Sequence, residues 1–166
     1  MKEILICGGG AALEKVGALL RSNGYSVRYS PADKEPDAAL VLPSANRAET
    51  LKICGRFRRA AVVSVGRELH EAGAVCVPPP VTPAALLQTL AVALEMNERL
   101  HALEEENARL KGKIDDLKLI DRAKCALVQY LGMTEQDAHR FIEKRAMDQR
   151  IPRRAVALDI LRTYEP

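Results

Sequence analysis

The feature that most constrains this 166-residue sequence is a heptad repeat in its middle. Ala93, Leu100, Asn107 and Ile114 occupy the a positions, and Met96, Leu103, Leu110 and Leu117 the d positions. An apolar seam of this period, with no proline in it, specifies a coiled-coil helix. It continues a helix that begins at Pro83, where Thr82 supplies the N-cap and proline suits the first helical position. Asn107 narrows the partner, because an a-position amide pairs with its mate only in a parallel, in-register dimer. The flanking charges agree: Arg99 at g faces Glu104 at e′, and Glu106 faces Lys111. Lys113 against Lys118 is repulsive and marks where the pairing should weaken. Leu100, Leu103, Asn107, Leu110, Ile114 and Leu117 are therefore expected to form a homodimer interface. The competing reading docks the same leucines on a neighbour within the chain.

Upstream of the seam, short apolar runs alternate with helical patterns. Lys2 to Cys7 reads as a buried strand ended by Gly8-Gly9-Gly10. Ala11 to Arg21 carries Leu13, Val16, Leu19 and Leu20 at helical spacing and stops at Asn23-Gly24. Tyr25 to Tyr29, Pro36 to Leu42, Ala60 to Val65 and Ala74 to Val77 read as further strands, and Glu49 to Phe57 as a helix. The resulting β-α-β-(α)-β-α-β-α order, with a fifth strand, predicts an open and mainly parallel α/β sheet with helices on both faces, flavodoxin-like in order. Strands of Val, Ile, Leu and Ala agree with burial on both sides.

This segment resembles a response-regulator receiver domain, and its departures from that family fall on the chemistry. Where a receiver holds acidic residues for Mg²⁺ after the first strand, this sequence has Gly8 and Gly9. After Pro36-Asp37-Ala38-Ala39-Leu40-Val41, Leu42 stands at the place of the phosphoacceptor Asp. Pro79-Pro80 replaces the family's Lys-Pro, and only Ser64 stands in for its Ser/Thr switch residue. Phosphoryl transfer to Asp needs a carboxylate nucleophile, a hard cation and a positive group on the phosphoryl oxygens. The resemblance therefore implies a pseudo-receiver, with Gly8, Gly9, Leu42, Ser64 and Pro79 marking a degenerate site. The glycine run lacks both the GxGxxG spacing and a Gly-Lys-Ser/Thr ending, so it reads as a tight turn before it reads as a phosphate cradle.

Downstream, the helix continues through Lys118 to Leu131, but Asp121 and Lys124 fall at a and d, so the seam ends there. Gly132 ends the helix. Thr134-Glu135-Gln136-Asp137 resembles a capping box with Asp in place of Glu/Gln. A second helix to about Gln149 is expected to turn Ala138, Phe141, Ile142 and Ala146 inward, with Met147 also in the core. After Ile151-Pro152, a third carries Ala155, Val156, Leu158, Ile160 and Leu161. Tyr130 is expected to be a half-buried core residue.

The residues Ile120-Asp121-Arg122-Ala123-Lys124, Gly132-Met133-Thr134-Glu135, Ala138, Arg145-Ala146-Met147, Arg150, Val156-Ala157 and Ile160-Leu161 resemble the ANTAR domain. This all-α, three-helix module is the RNA-binding output of bacterial antitermination regulators. The resemblance covers roughly 110–163, and Cys125 departs from it by standing where the family usually has Gly. It implies binding to paired hairpins in leader mRNA. Arg122, Lys124, Arg140, Lys144, Arg145, Arg150, Arg153 and Arg154 are the cations available for phosphates, with Tyr130 and His139 as candidates for loop bases. The expected division is a pseudo-receiver over 1–92, a coiled-coil linker over 93–117 and an ANTAR unit over 118–166.

Composition is consistent with this division. The net charge of +3 is too small for a polycation, but it splits unevenly. Residues 95–117 hold 4 basic and 7 acidic side chains, and residues 118–166 hold 10 and 7. Aromatic content of 4% disfavours base-stacking sheets. Cys7, Cys54, Cys76 and Cys125 stand alone, form no CxxC pair, and read as buried thiols of a reducing cytosol, so no metal or cofactor is expected. No long apolar stretch is present, which predicts a cytoplasmic protein without membrane attachment. No acid/base pair or nucleophile with a partner His suggests catalysis. The input to the pseudo-receiver is expected to be a regulatory protein or ligand, or the unit is constitutive. The alternative function is a coiled-coil scaffold or protein-interaction adaptor without RNA binding.

Overall fold

The computed structural model describes residues 1–166 except 32–33, 67–73 and 165–166. The elements run β1 (Glu3–Cys7), α1 (Ala11–Ser22), β2 (Ser26–Arg28), β3 (Ala38–Val41), α2 (Arg47–Arg56), β4 (Ala61–Val65), β5 (Val75–Val77), α3 (Pro83–Leu131), α4 (Glu135–Gln149) and α5 (Arg153–Tyr164). The five strands form one parallel sheet in the order β2-β1-β3-β4-β5. This is the flavodoxin-like order read from the sequence.

The uninterrupted apolar strands are explained by burial on two faces. On one face Ile4, Ile6, Leu40 and Val63 pack against Leu20 of α1 and Leu86, Leu90 and Leu94 of α3. On the other, Leu5, Cys7 and Val41 meet Phe57, which follows α2, and Ala60. Full burial of a Leu or Ile is worth about 1.5–3 kcal/mol, so these side chains dominate the sheet's stability. Helix starts are capped as their sequences require. The Ala48 amide donates to Asn46 Oδ1 at 3.0 Å, and the Ala85 amide to Thr82 Oγ1 at 3.1 Å. About four turns into α3, the Asn97 side-chain amide donates to the Arg59 carbonyl at 2.6 Å.

One sequence expectation fails here. The helix placed in brackets after the second strand does not form among the described residues of 29–37. Pro31 and Pro36 within that short stretch oppose helix.

The chain divides into two compact units, Met1–Leu103 and Glu104–Pro166. The second unit is helical. Ala123, Ala126 and Leu127 of α3, Ala138, Ile142 and Ala146 of α4, and Val156, Ala157, Ile160 and Leu161 of α5 form its core. The alanines allow close approach of the helix axes, and Leu127, Ile142 and Ile160 fill the space between them. The seam residues Leu100, Leu103, Leu110, Ile114 and Leu117 are all exposed in the single chain, Leu103 at 66% and Leu117 at 62%. None of the described helices is long and apolar enough to cross a membrane.

Candidate functional site

Two places carry the residues singled out by sequence. The first is the C-terminal edge of the sheet. Cys7, Val41 and Ser64 lie in register on adjacent strands, so Gly8, Leu42 and Ser64 come together at the strand ends. Gly8 has φ 137, and a Cβ built on it would sit 2.8 Å from Leu42 Cβ and 3.0 Å from Ser44 Oγ. Leu42 is 2% exposed, and its amide donates to the Cys7 carbonyl at 2.9 Å. Ser44 fastens the turn: its hydroxyl accepts from the Gly9 amide at 3.0 Å and donates to the Gly9 carbonyl at 2.9 Å. A carboxylate-bearing residue at position 8 is therefore excluded by backbone conformation and by packing, not merely missing. Ser64 is buried, and its hydroxyl has no hydrogen-bond partner among the described residues. Among the described residues no group of three or more His, Cys, Asp or Glu side chains is placed to hold a metal.

The second place is the helical unit. Thr134 caps α4: its Oγ1 accepts from the Asp137 amide at 3.2 Å and donates to Asp137 Oδ2 at 2.6 Å. The shorter Asp thus bonds the capping hydroxyl, where a Glu would reach back to the backbone amide. Arg150 ends α4 in the left-handed conformation, φ 54, and the Ile151 amide then closes on the Ala146 carbonyl at 3.0 Å.

The candidate cations fall into two groups. Lys124 bridges helices, with Nζ 2.8 Å from Asp121 and 3.1 Å from Glu135 at the start of α4, and its side chain is only 15% exposed. Hydrogen bonds to Asp121 and then Glu135 hold its ammonium above the usual lysine value. Arg153 donates to Glu143 at 2.9 Å, and Arg154 pairs with Asp116. In contrast, Arg140, Lys144, Arg145 and Arg150 make no ion pair among the described residues. Arg140 and Lys144 are one turn apart on the outer face of α4.

Three residues assigned to the core lie outside it. Phe141 is 36% exposed and Met147 77% exposed, because α4 turns Ala138, Ile142 and Ala146 inward instead. Tyr130 is 52% exposed and stacks on Tyr164, with ring centroids 5.5 Å apart and planes 18° apart. Phe141 is therefore exposed on α4 one turn before Lys144 and Arg145, a placement the sequence reading missed. The i, i+4 line of small residues through Ala138 and Ala146 was the available signal, since that line buries Ile142 and sends Phe141 outward. The cysteines also differ from expectation: Cys7 is buried, Cys54 and Cys76 are partly buried, and Cys125 is exposed. Cys125 points away from Ala123 and Ala126, which make the close packing.

A receiver-like sheet unit followed by a three-helix unit on a long helix defines the class, and residues 108–161 match the family model of the ANTAR domain. Residues 108–161 thus carry the ANTAR match, and the sheet unit before them has a receiver-like fold. It is similar to the transcriptional regulatory protein PdtaR of Mycobacterium tuberculosis, 32% identical over 128 residues, which cover 76% of this chain and 60% of that one. It is also 26% identical over 125 residues to the aliphatic amidase regulator of Pseudomonas aeruginosa, covering 75% of this chain and 63% of that one. This chain thus spans about three-fifths of the length of both relatives. In fold, it resembles a CheY-like receiver domain protein from Methanospirillum hungatei JF-1, with a TM-score of 0.51 and 22% identity over 60% of this chain and 98% of that one.

Proposed function

We propose that this protein is an RNA-binding transcription antitermination regulator that acts as a dimer on hairpins in leader mRNA. The observation that carries the reading is the outer face of α4, within the ANTAR match, where exposed Phe141 lies one turn before Lys144 and Arg145, with Arg140 one turn before Lys144. Cations there neutralise loop phosphates, while an aromatic ring beside them offers a face to an unstacked base. Arg122, Arg145 and Arg150 extend the positive surface. Lys124, Arg153 and Arg154 remain candidates, but their carboxylate partners give them an additional structural task. The names of the two relatives support a regulatory and not a catalytic role.

In this reading, residues 93–117 join two chains through Leu100, Leu103, Asn107, Leu110, Ile114 and Leu117. A parallel pair presents two heads to two hairpins, and linkage raises the effective concentration of the second contact. Residues 1–92 form a pseudo-receiver, switched by something other than phosphate on Asp, and residues 118–166 form the RNA-binding head. The protein works in the cytoplasm, where nascent leader RNA is found, with no metal or cofactor.

The test is to crosslink the full chain to RNA in its native cell and sequence what is retained. The expected result is enrichment of paired hairpins upstream of terminators, lost in an Arg140→Glu/Lys144→Glu double variant. Recovery of the same RNA by wild type and double variant would remove α4 from the interface. Recovery of proteins only would favour an adaptor.

A further inference from the structure

The short β2–β3 connection leaves part of the sheet without a helix to cover it. In a parallel sheet each crossover is ordinarily a helix laid across a face. Here residues 29–37 contain none among those described, and the face carrying Leu5, Cys7 and Val41 is roofed by α2 and the segments beside it. Next to α2 lies a cavity of about 420 Å³, within the range of small-molecule sites. It opens at the C-terminal end of β1, beside the point between β1 and β3 where the strand order reverses, the usual place for ligands in sheets of this order.

Its lining is chemically divided. Leu5 and Cys7 of β1 form an apolar floor, and Ala45 and Ile53 form an apolar wall. Tyr29 closes the far side, fixed there by Arg21, whose guanidinium donates to the Tyr29 hydroxyl at 3.0 Å. Thr50, buried in the wall, donates its hydroxyl proton to the Asn46 carbonyl at 2.9 Å, so toward the cavity its oxygen can only accept. Lys52 and Arg56, one turn apart on α2, bring positive charge to the rim, and no Asp or Glu is among the described lining residues.

We propose that this cavity binds a small organic anion with an apolar body, a carboxylate carrying an N–H or O–H donor. The body covers Leu5, Cys7 and Ile53 and removes apolar surface from water. Its donor meets Thr50 Oγ1. Its carboxylate lies at the rim, where a charge-assisted hydrogen bond from Lys52 is strengthened in a partly desolvated site. Such a ligand gives the receiver-like unit an input that needs no phosphoacceptor. The inference concerns the sheet unit alone, so its test reads ligand contact and is independent of RNA binding.

The test titrates the full chain with indole-3-acetate and, separately, with neutral indole-3-acetamide, following amide resonances by NMR. Saturable shifts are expected at Leu5, Thr50 and Ile53, with the acid binding about tenfold tighter than the amide. Lys52→Glu, an exposed substitution, is expected to erase that preference and leave amide binding unchanged. Ile53→Trp is expected to fill the cavity and abolish both. Equal affinity of Lys52→Glu and wild type for the acid, shifts scattered away from the cavity, or no shift at millimolar acid would each overturn the proposal.

Discussion

Replacing Gly8 by Ala separates a glycine required by the fold from one that merely marks lost chemistry. At Gly8 the backbone has φ 137, and the new Cβ would approach Leu42 Cβ to 2.8 Å. A side chain in that backbone region costs about 1–3 kcal/mol. The close approach adds a similar amount, about 1–3 kcal/mol, because Leu42 Cβ is attached to backbone that β1 holds and cannot swing aside. The expected loss is therefore about 2–6 kcal/mol in the sheet unit. Gly9 supplies the control, since a Cβ there meets nothing within 4 Å. Gly9→Ala should stay within about 0.5 kcal/mol of wild type. Urea titration followed through the amide signals of Ile4 and Leu40 isolates this unit from the helical one. With a slope of about 2 kcal/mol per molar urea, Gly8→Ala should lower the midpoint by about 1–3 M. Equal midpoints for Gly8→Ala and wild type, or equal losses for the two variants, would refute the account of this turn. The same logic implies that Gly8→Asp destabilises the fold before it restores any cation ligand.

Three further outcomes follow from the helical parts. Phe141→Ala should lower head stability by no more than about 1–2 kcal/mol, because the residue is 36% exposed, while weakening hairpin RNA binding about tenfold through loss of a stacking surface. Melting and gel-shift assays on the same preparation separate these effects. Lys124 has its pKa raised in the folded head by Asp121 and Glu135, so its stabilisation is complete below the unfolded value of about 10.4 and is lost as pH rises through the folded value. Melting the head from pH 9 upward should therefore show a decline in stability that Lys124→Met lacks. Leu110→Asp places a charge on the exposed seam, and sedimentation should find a monomer with the cores of both units intact by NMR.

The sheet was legible because its strands are nearly unbroken apolar runs between glycine and proline punctuation. Helix starts were legible because Thr82 and Thr134 are local signals, acting within three residues. The exposed face of α4 was harder to read. Both Phe141 and Ile142 stand at helical spacing from Ala138, and periodicity alone does not choose between neighbours. Packing chooses Ile142, since its line also contains Ala146. Lys124 shows a second limit. Its partner Glu135 belongs to another helix, so a cation that looked available for RNA is held across the helix junction. The cavity beside α2 was invisible for a related reason: its lining comes from β1, α2 and the residues after β2, which no local motif brings together.

The most direct test of the RNA-binding claim is the affinity of the full chain for a two-hairpin leader RNA measured across salt concentration. If Arg140, Lys144, Arg145 and Arg150 each neutralise one phosphate, log affinity should fall with log salt at a slope near about −3 per head. Arg140→Glu/Lys144→Glu should make that slope shallower by at least about 1.4 per head. A salt-independent affinity, or one that the double reversal leaves unchanged, would contradict the account.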